Sequence, residues 1–360
     1  MNVALYFVDM LRYDSDNWSV KRSEYFNEYQ GQLSTKNAFS EAPDTPRSMS
    51  MLFSGVGNQL SGVDSRYKWP RWYAKQGCEK FFKTISDAGY NIKICSREER
   101  IEVGLFDNNT VNVFISNTGQ NKKFNKNFYF FDITDFHDAV DATKGTRYCW
   151  DYVDGIYKYI ADNNVRYNVD SFFIISDHGC VLRNEALDYS CPSSYDVRHK
   201  IIFEYYSVQG VRNENTNLIS METLGNLIPS FLGGDDISVS TLDKMLSKSA
   251  NEYILVEDYS AKSTSYYPDL FRYKDNKRDL DFIFSKDVLY DFDSRHDLNS
   301  NIKSKSSRAY DIYLYVKTHK AKYQNLKRTP VLKVTRFVAF KVFLNVQYWR
   351  LVSYIREALF

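Results

Sequence analysis

The chain reads as an α/β protein, a largely parallel central sheet sandwiched by helices. Three observations carry that reading. Short, nearly unbroken apolar runs recur at residues 3–8, 128–133 and 169–176, the mark of strands buried on both faces. Helical patterns fall between the strands over about 230 residues, which is βαβ alternation. Two of the runs end on acids, Asp9 and Asp177, at the carboxyl edge where open α/β sheets bind ligands.

The elements follow in order. VALYFV (3–8) is the first strand and delivers Asp9. Residues 20–33 are polar with helical spacing. APDTPRSMSMLFSG (42–55) reads as a loop, a helix beginning near Pro and Thr, and a glycine cap. EKFFKTISDAG (79–89) is an amphipathic helix stopped by Gly89, and NIKIC (91–95) is the next strand. FYFFDI (128–133) is another buried strand, close to Asp132, Asp135 and His137. Residues 148–163 have aromatic residues at helical spacing, and VDSFFIIS (169–176) leads into Asp177-His178-Gly179. KIIFEYY (200–206) is a further strand, 220–232 is a helix containing Pro229, and 252–256 and 283–292 add short strands. The expected organisation is a catalytic α/β domain over 1–235, a small C-terminal α+β subdomain over 236–305 and a basic helical tail over 306–360.

Composition narrows the class. With 43% apolar and 26% charged residues, extended disorder is excluded. The 29 Tyr and 25 Phe point to an aromatic core. Cysteines at 78, 95, 149, 180 and 191 show no zinc-knuckle spacing and read as reduced, mostly buried thiols. No signal peptide or membrane-spanning run is visible, so a cytoplasmic location is expected. The net charge of +2 conceals an asymmetry: Lys317 to Phe360 carries +9 and the rest −7. Residues 331–360 read as a helix after Pro330. Either it packs on protein, or with the rest of 329–360 it lies peripherally on an anionic membrane, an inner face given that location. Without a binding motif beside that charge, nucleic acid is not an expected partner.

Asp9, the loop with Thr45, and Asp177-His178 bring hard oxygen donors and one imidazole to three element ends. That set suits one divalent cation, Zn²⁺ or Mn²⁺ first and Ca²⁺ or Mg²⁺ next. A hydroxyl beside such a cation at a helix N-terminus loses its proton more readily and becomes a nucleophile. Backbone N–H groups at that terminus would face an anionic tetrahedral centre. The chemistry implied is metal-assisted transfer or hydrolysis at phosphorus or sulfur.

Three stretches, VDMLRYD (8–14), APDTPRSMSMLFSG (42–55) and IISDHG (174–179), resemble in their order the alkaline-phosphatase/sulfatase superfamily, in its sulfatase-like branch. FFKTISDAGY (81–90), FDITDFHD (131–138), LIPSFL (227–232) and VLYDFDSRHDLNSNI (288–302) are similar to later segments of that family. The resemblance covers about residues 1–305 and implies an alkaline-phosphatase-like fold. It implies Asp9, Thr45, Asp177 and His178 as metal ligands and Thr45 as nucleophile. Arg12, Arg47 and Ser48 would contact substrate, with Arg12 alternatively bracing the metal loop and Ser48 capping its helix. His137 would serve the leaving group and His199 would face the site; each competes with a structural role. Sulfatases use a Cys or Ser oxidised to an aldehyde, which Thr45 cannot become, and Met49 replaces the motif's Arg. Thr is the nucleophile of the family's phosphoethanolamine and phosphoglycerol transferases. The resemblance therefore implies a phosphothreonine intermediate. The expected donor is a phospho-alcohol or phosphodiester, and the expected acceptor a glycan or lipid-linked glycan. Alternatives are a phosphodiester or sulfate-ester hydrolase and a non-catalytic assembly module.

Overall fold

A computed structural model of the chain describes residues 1–17, 22–57, 80–95, 126–182, 185, 192–258, 270–275, 281–285, 288–291, 296–297, 314 and 318. Seven strands form the main sheet: β1 (Asn2–Val8), β2 (Gly31–Phe39), β3 (Tyr90–Cys95), β4 (Lys126–Ile133), β5 (Ser171–Ser176), β6 (Phe203–Ser207) and β7 (Arg212–Ser220). Their order is β3-β4-β1-β5-β6-β2-β7. All neighbours are parallel except that β6 runs against both β5 and β2. This is the mostly parallel, helix-flanked sheet that the sequence predicts.

Successive β1 residues point to opposite faces, so the buried run supplies two cores at once. Val3, Leu5 and Phe7 enter one, and Ala4, Tyr6 and Val8 the other. The first core is closed by α2 (Thr45–Ser54), α3 (Lys80–Asp87), α7 (Met221–Leu232) and α8 (Val239–Lys248), which bring residues such as Phe53, Phe82, Ile228 and Leu242. The second is covered by α4 (Asp135–Ala142), α5 (Val153–Arg166) and the 3-10 turn Arg147–Tyr152. The aromatic excess is spent here: Tyr6 stacks on Phe131 at 4.7 Å and Phe172 on Tyr206 at 4.8 Å. A single helical turn α1 (Arg22–Tyr25) and the helix α6 (Pro192–His199) complete the layer elements.

Among the described residues of 20–33, α1 is the helical part, and Gly31 already begins β2, so the expected helix does not run the length of that segment. In β2, Leu33, Ala38 and Phe39 are buried while Gln32, Ser34 and Lys36 are partly or fully exposed, so its polar composition hides a strand. The first half of β7 is largely exposed for a different reason: it is an edge strand.

A second, antiparallel sheet runs β12-β11-β10-β9-β8, from β8 (Tyr253–Asp258), β9 (Leu270–Asp275), β10 (Asp281–Ser285), β11 (Val288–Asp291) and β12 (His296–Asp297). The helix expected over 331–360, and nearly all of 306–360, lie outside the described residues. Cys95, Cys149 and Cys180 are free thiols, the latter two buried; Cys78 and Cys191 lie outside the described residues. Among the described residues no helix is long and apolar enough to cross a membrane.

Candidate active site

The site grows from the carboxyl ends of adjacent parallel strands. The Asp9 N–H donates to the Ile133 carbonyl at 2.9 Å, tying the end of β1 to β4. Met10 then turns into the left-handed region at φ 62°, an expensive conformation for a side chain with a Cβ. The turn aims the Met10 N–H at Asp177 Oδ1, 2.8 Å away, and the His178 N–H donates to the same oxygen at 2.8 Å. Gly179 is required by packing: a Cβ there would sit 1.9 Å from the Val197 carbonyl oxygen on α6.

His178 is oriented by its own backbone. Its Nδ1 lies 2.7 Å from the Gly179 carbonyl, which can only accept, so Nδ1 carries the hydrogen and the neutral ring presents the Nε2 lone pair. That nitrogen faces Asp177 Oδ2 at 3.3 Å, Thr45 Oγ1 at 3.5 Å and Asp9 Oδ1 at 3.9 Å. Asp177 Oδ2 is buried without a hydrogen-bond partner. Lone pairs thus converge on one point in a buried setting, which is unfavourable unless positive charge lies between them. One ligand atom each from Asp9, Asp177 and His178 falls within a mutual 4.8 Å. Two carboxylates and an imidazole fit a divalent cation with hard or borderline preferences. Burial, reinforced by Asp9, pushes the Asp177 carboxyl up to about 6.

Thr45 is the first residue of α2, and its hydroxyl donates to Asp9 Oδ1 at 3.1 Å. Asp44 caps the helix, accepting from the Arg47 N–H at 3.3 Å, while its carbonyl accepts from the Ser48 N–H at 3.1 Å. Pro46 has no N–H to give. These helix donors are already engaged, or missing, so the expected cradle of N–H groups for an anion is not provided by residues 46–48.

The structure brings Asp9, Thr45, Asp177 and His178 together and gives other expected site residues partners of their own. The Arg12 guanidinium is held by Asp14 (2.7 and 2.8 Å) and Glu185 (2.5 and 2.7 Å) and lies over the Trp150 ring, so it braces the loop rather than offering itself to substrate. Arg47 is wholly buried between Asp44 (2.6 Å) and Glu257 (3.6 Å) of β8. Ser48 is also buried, bonded to Ser40 Oγ and the Ala42 carbonyl. His199 is fully buried with Nε2 3.0 Å from Asp258, and burial lowers its pKa. Arg12, Arg47, Ser48 and His199 are thus each engaged by protein partners in this arrangement. His137 is partly exposed on α4, 3.6 Å from Asp141. Sequence reasoning missed the carboxylates that anchor this machinery, Asp44, Glu185, Glu257 and Asp258. Of these only Asp44, beside Thr45 in a cap position, carries a local signal.

No protein-family model matches the chain, and no curated protein matches it. Solved structures do. A 2-O GAG sulfatase aligns with a TM-score of 0.60 at 13% identity, covering 91% of this chain and 94% of that one. The phosphonate monoester hydrolase of Silicibacter pomeroyi aligns with a TM-score of 0.57 at 10% identity, covering 91% and 96%. That of Agrobacterium radiobacter gives 0.56 at 10% identity, covering 90% and 95%. The fold is therefore the alkaline-phosphatase-like α/β fold of sulfatases and phosphonate monoester hydrolases.

Proposed function

We propose that the chain is a metal-dependent phosphotransferase that works through a phosphothreonine at Thr45, moving a phospho-alcohol group from a phosphodiester donor to a glycan or lipid-linked glycan. One observation carries the reading: the Thr45 hydroxyl lies against the Asp9–Asp177–His178 set, 3.1 Å from Asp9 Oδ1 and 3.5 Å from His178 Nε2. A divalent cation held by those three residues would supply positive charge that acidifies the hydroxyl and offsets charge on the transferred group. Asp9 orients Thr45 Oγ1 by accepting its hydrogen bond, and the Thr45 proton passes to solvent as Oγ1 attacks. Attack forms the Oγ1–P bond as the bond from phosphorus to the leaving alcohol breaks. His137, partly exposed on α4, is offered as the group that protonates that alkoxide. An acceptor hydroxyl then displaces Thr45 and closes the cycle.

Phosphorus is favoured over sulfate esters because Thr45 cannot become an aldehyde, and the names of two structures of similar fold, both phosphonate monoester hydrolases, support that reading. Hydrolysis, with water as the acceptor, is the second reading, favoured by the names of those hydrolases. The basic segment 329–360 is proposed to hold the enzyme peripherally on an anionic inner membrane face; its deletion should abolish binding to anionic liposomes. The test of function is turnover of aryl phosphodiesters and aryl sulfates by manganese- or zinc-loaded protein. The reading expects phosphodiester turnover that Thr45→Ala abolishes; retained turnover in that variant, or turnover of sulfates alone, overturns it.

A further inference from the structure

One strand away from Asp9 the sheet edge opens into a cavity of about 660 Å³, within the roughly 300–1,000 Å³ usual for ligand pockets. It is lined by the end of β4 (Asp132, Ile133, Thr134), by Asp135 of α4, and by Asp151, Tyr152 and Tyr159. Ile133 is the residue whose carbonyl receives the Asp9 N–H, so the cavity and the candidate cation site share a wall. None of its described lining residues is Lys or Arg, while three are Asp. Tyr152 and Tyr159 are 50% and 48% exposed, although a large ring gains most by burial. Asp135 and Asp151 are exposed as well.

Flat apolar ring faces beside acceptor-only carboxylates suit a ligand with C–H faces and many O–H donors. The same carboxylates repel sulfate and carboxylate substituents. We propose that this cavity is the acceptor subsite and takes a neutral sugar unit, its ring against Tyr152 and Tyr159 and its hydroxyls donating to Asp132, Asp135 and Asp151. The assignment rests on the transferase reading, and it separates this chain from the GAG sulfatase of the same fold.

The test is calorimetric binding to the full chain carrying Thr45→Ala, which removes turnover from the measurement. The probes are neutral hexasaccharides of gluco, manno and galacto configuration and a heparin-derived hexasaccharide, each at millimolar concentration. At least one neutral probe is expected to bind and the heparin fragment not to. Tyr152→Ala and, separately, Asp151→Asn should each weaken that binding about fivefold or more, the equivalent of about 1 kcal/mol, with melting temperatures near the parent's. Both side chains are exposed, so folding is not the expected casualty. No neutral binding, tighter heparin binding, or unchanged affinity in both variants overturns the subsite. Such failures leave the Thr45 chemistry untouched, and an unreactive Thr45 with intact sugar binding would instead overturn the transferase reading.

Discussion

Asp177 offers the sharpest quantitative test of the cation site. Its carboxyl is fully buried and pushed up to about 6 from 3.8, by loss of solvent first and by Asp9 as well. Holding it ionised at neutral pH without a cation costs on the order of 3 kcal/mol, at about 1.4 kcal/mol per pH unit. The sign follows from linkage: the folded state binds the extra proton, so this stability is present below about pH 4, and is lost as pH rises through about 6. A bound divalent cation reverses the trend, because it needs the ionised form and competes with the proton. In a domain of this size 3 kcal/mol is worth about 6–12 °C of melting temperature. Scanning calorimetry of chelator-treated and manganese- or zinc-loaded protein should show a gap that widens with pH and levels off above about 6. Glu41, half-buried and pushed up to about 7 by loss of solvent and by Glu222, adds its own slope to the metal-free protein. Asp177→Asn keeps that slope and loses only the Asp177 part, while losing most of the stabilisation by cation. A pH-independent gap, or equal cation stabilisation in the variant, would exclude a cation held by Asp177.

Other expectations follow from the same geometry. Met10→Gly should relieve the left-handed turn, leaving stability unchanged or raised by up to about 1 kcal/mol, whereas Met10→Val should lower it; denaturant melts decide. Arg47→Met would strand Asp44 and Glu257 in the interior and should cost about 3–5 kcal/mol by the same measurement. Arg12→Ala should destabilise the Asp177–Gly179 loop through Glu185, read as faster amide exchange there, without removing the cation ligands.

What the sequence disclosed and what it hid divide along physical lines. Strands β1, β4 and β5 are buried on both faces, so their apolar runs are local signals, and the acids ending two of those runs come with them. Asp9, Asp177 and the adjoining His178 could be read for that reason, whereas Thr45 was singled out by the stretch APDTPRSMSMLFSG. Strand β2 could not, because GQLSTKNAF turns its polar residues outward and holds its place through ladder bonds with β6 and β7. The reversed direction of β6 leaves no trace in FEYYS, since both faces are buried whichever way it runs. Arg47 looked like a substrate contact because Glu257, its distant partner, lies 210 positions along the chain on another sheet. The partner of His199, Asp258, was likewise out of view. Pairings of that kind are tertiary facts, and no spacing encodes them.

The central claim is that Thr45 is the nucleophile. Its most direct test is intact-mass and peptide mass spectrometry of metal-loaded protein quenched during incubation with a phosphodiester donor. The account predicts a phosphoryl or phospho-alcohol increment on the peptide containing Thr45, absent from Thr45→Ala. Donor turnover with no increment at Thr45, or an increment that persists in Thr45→Ala, would contradict it.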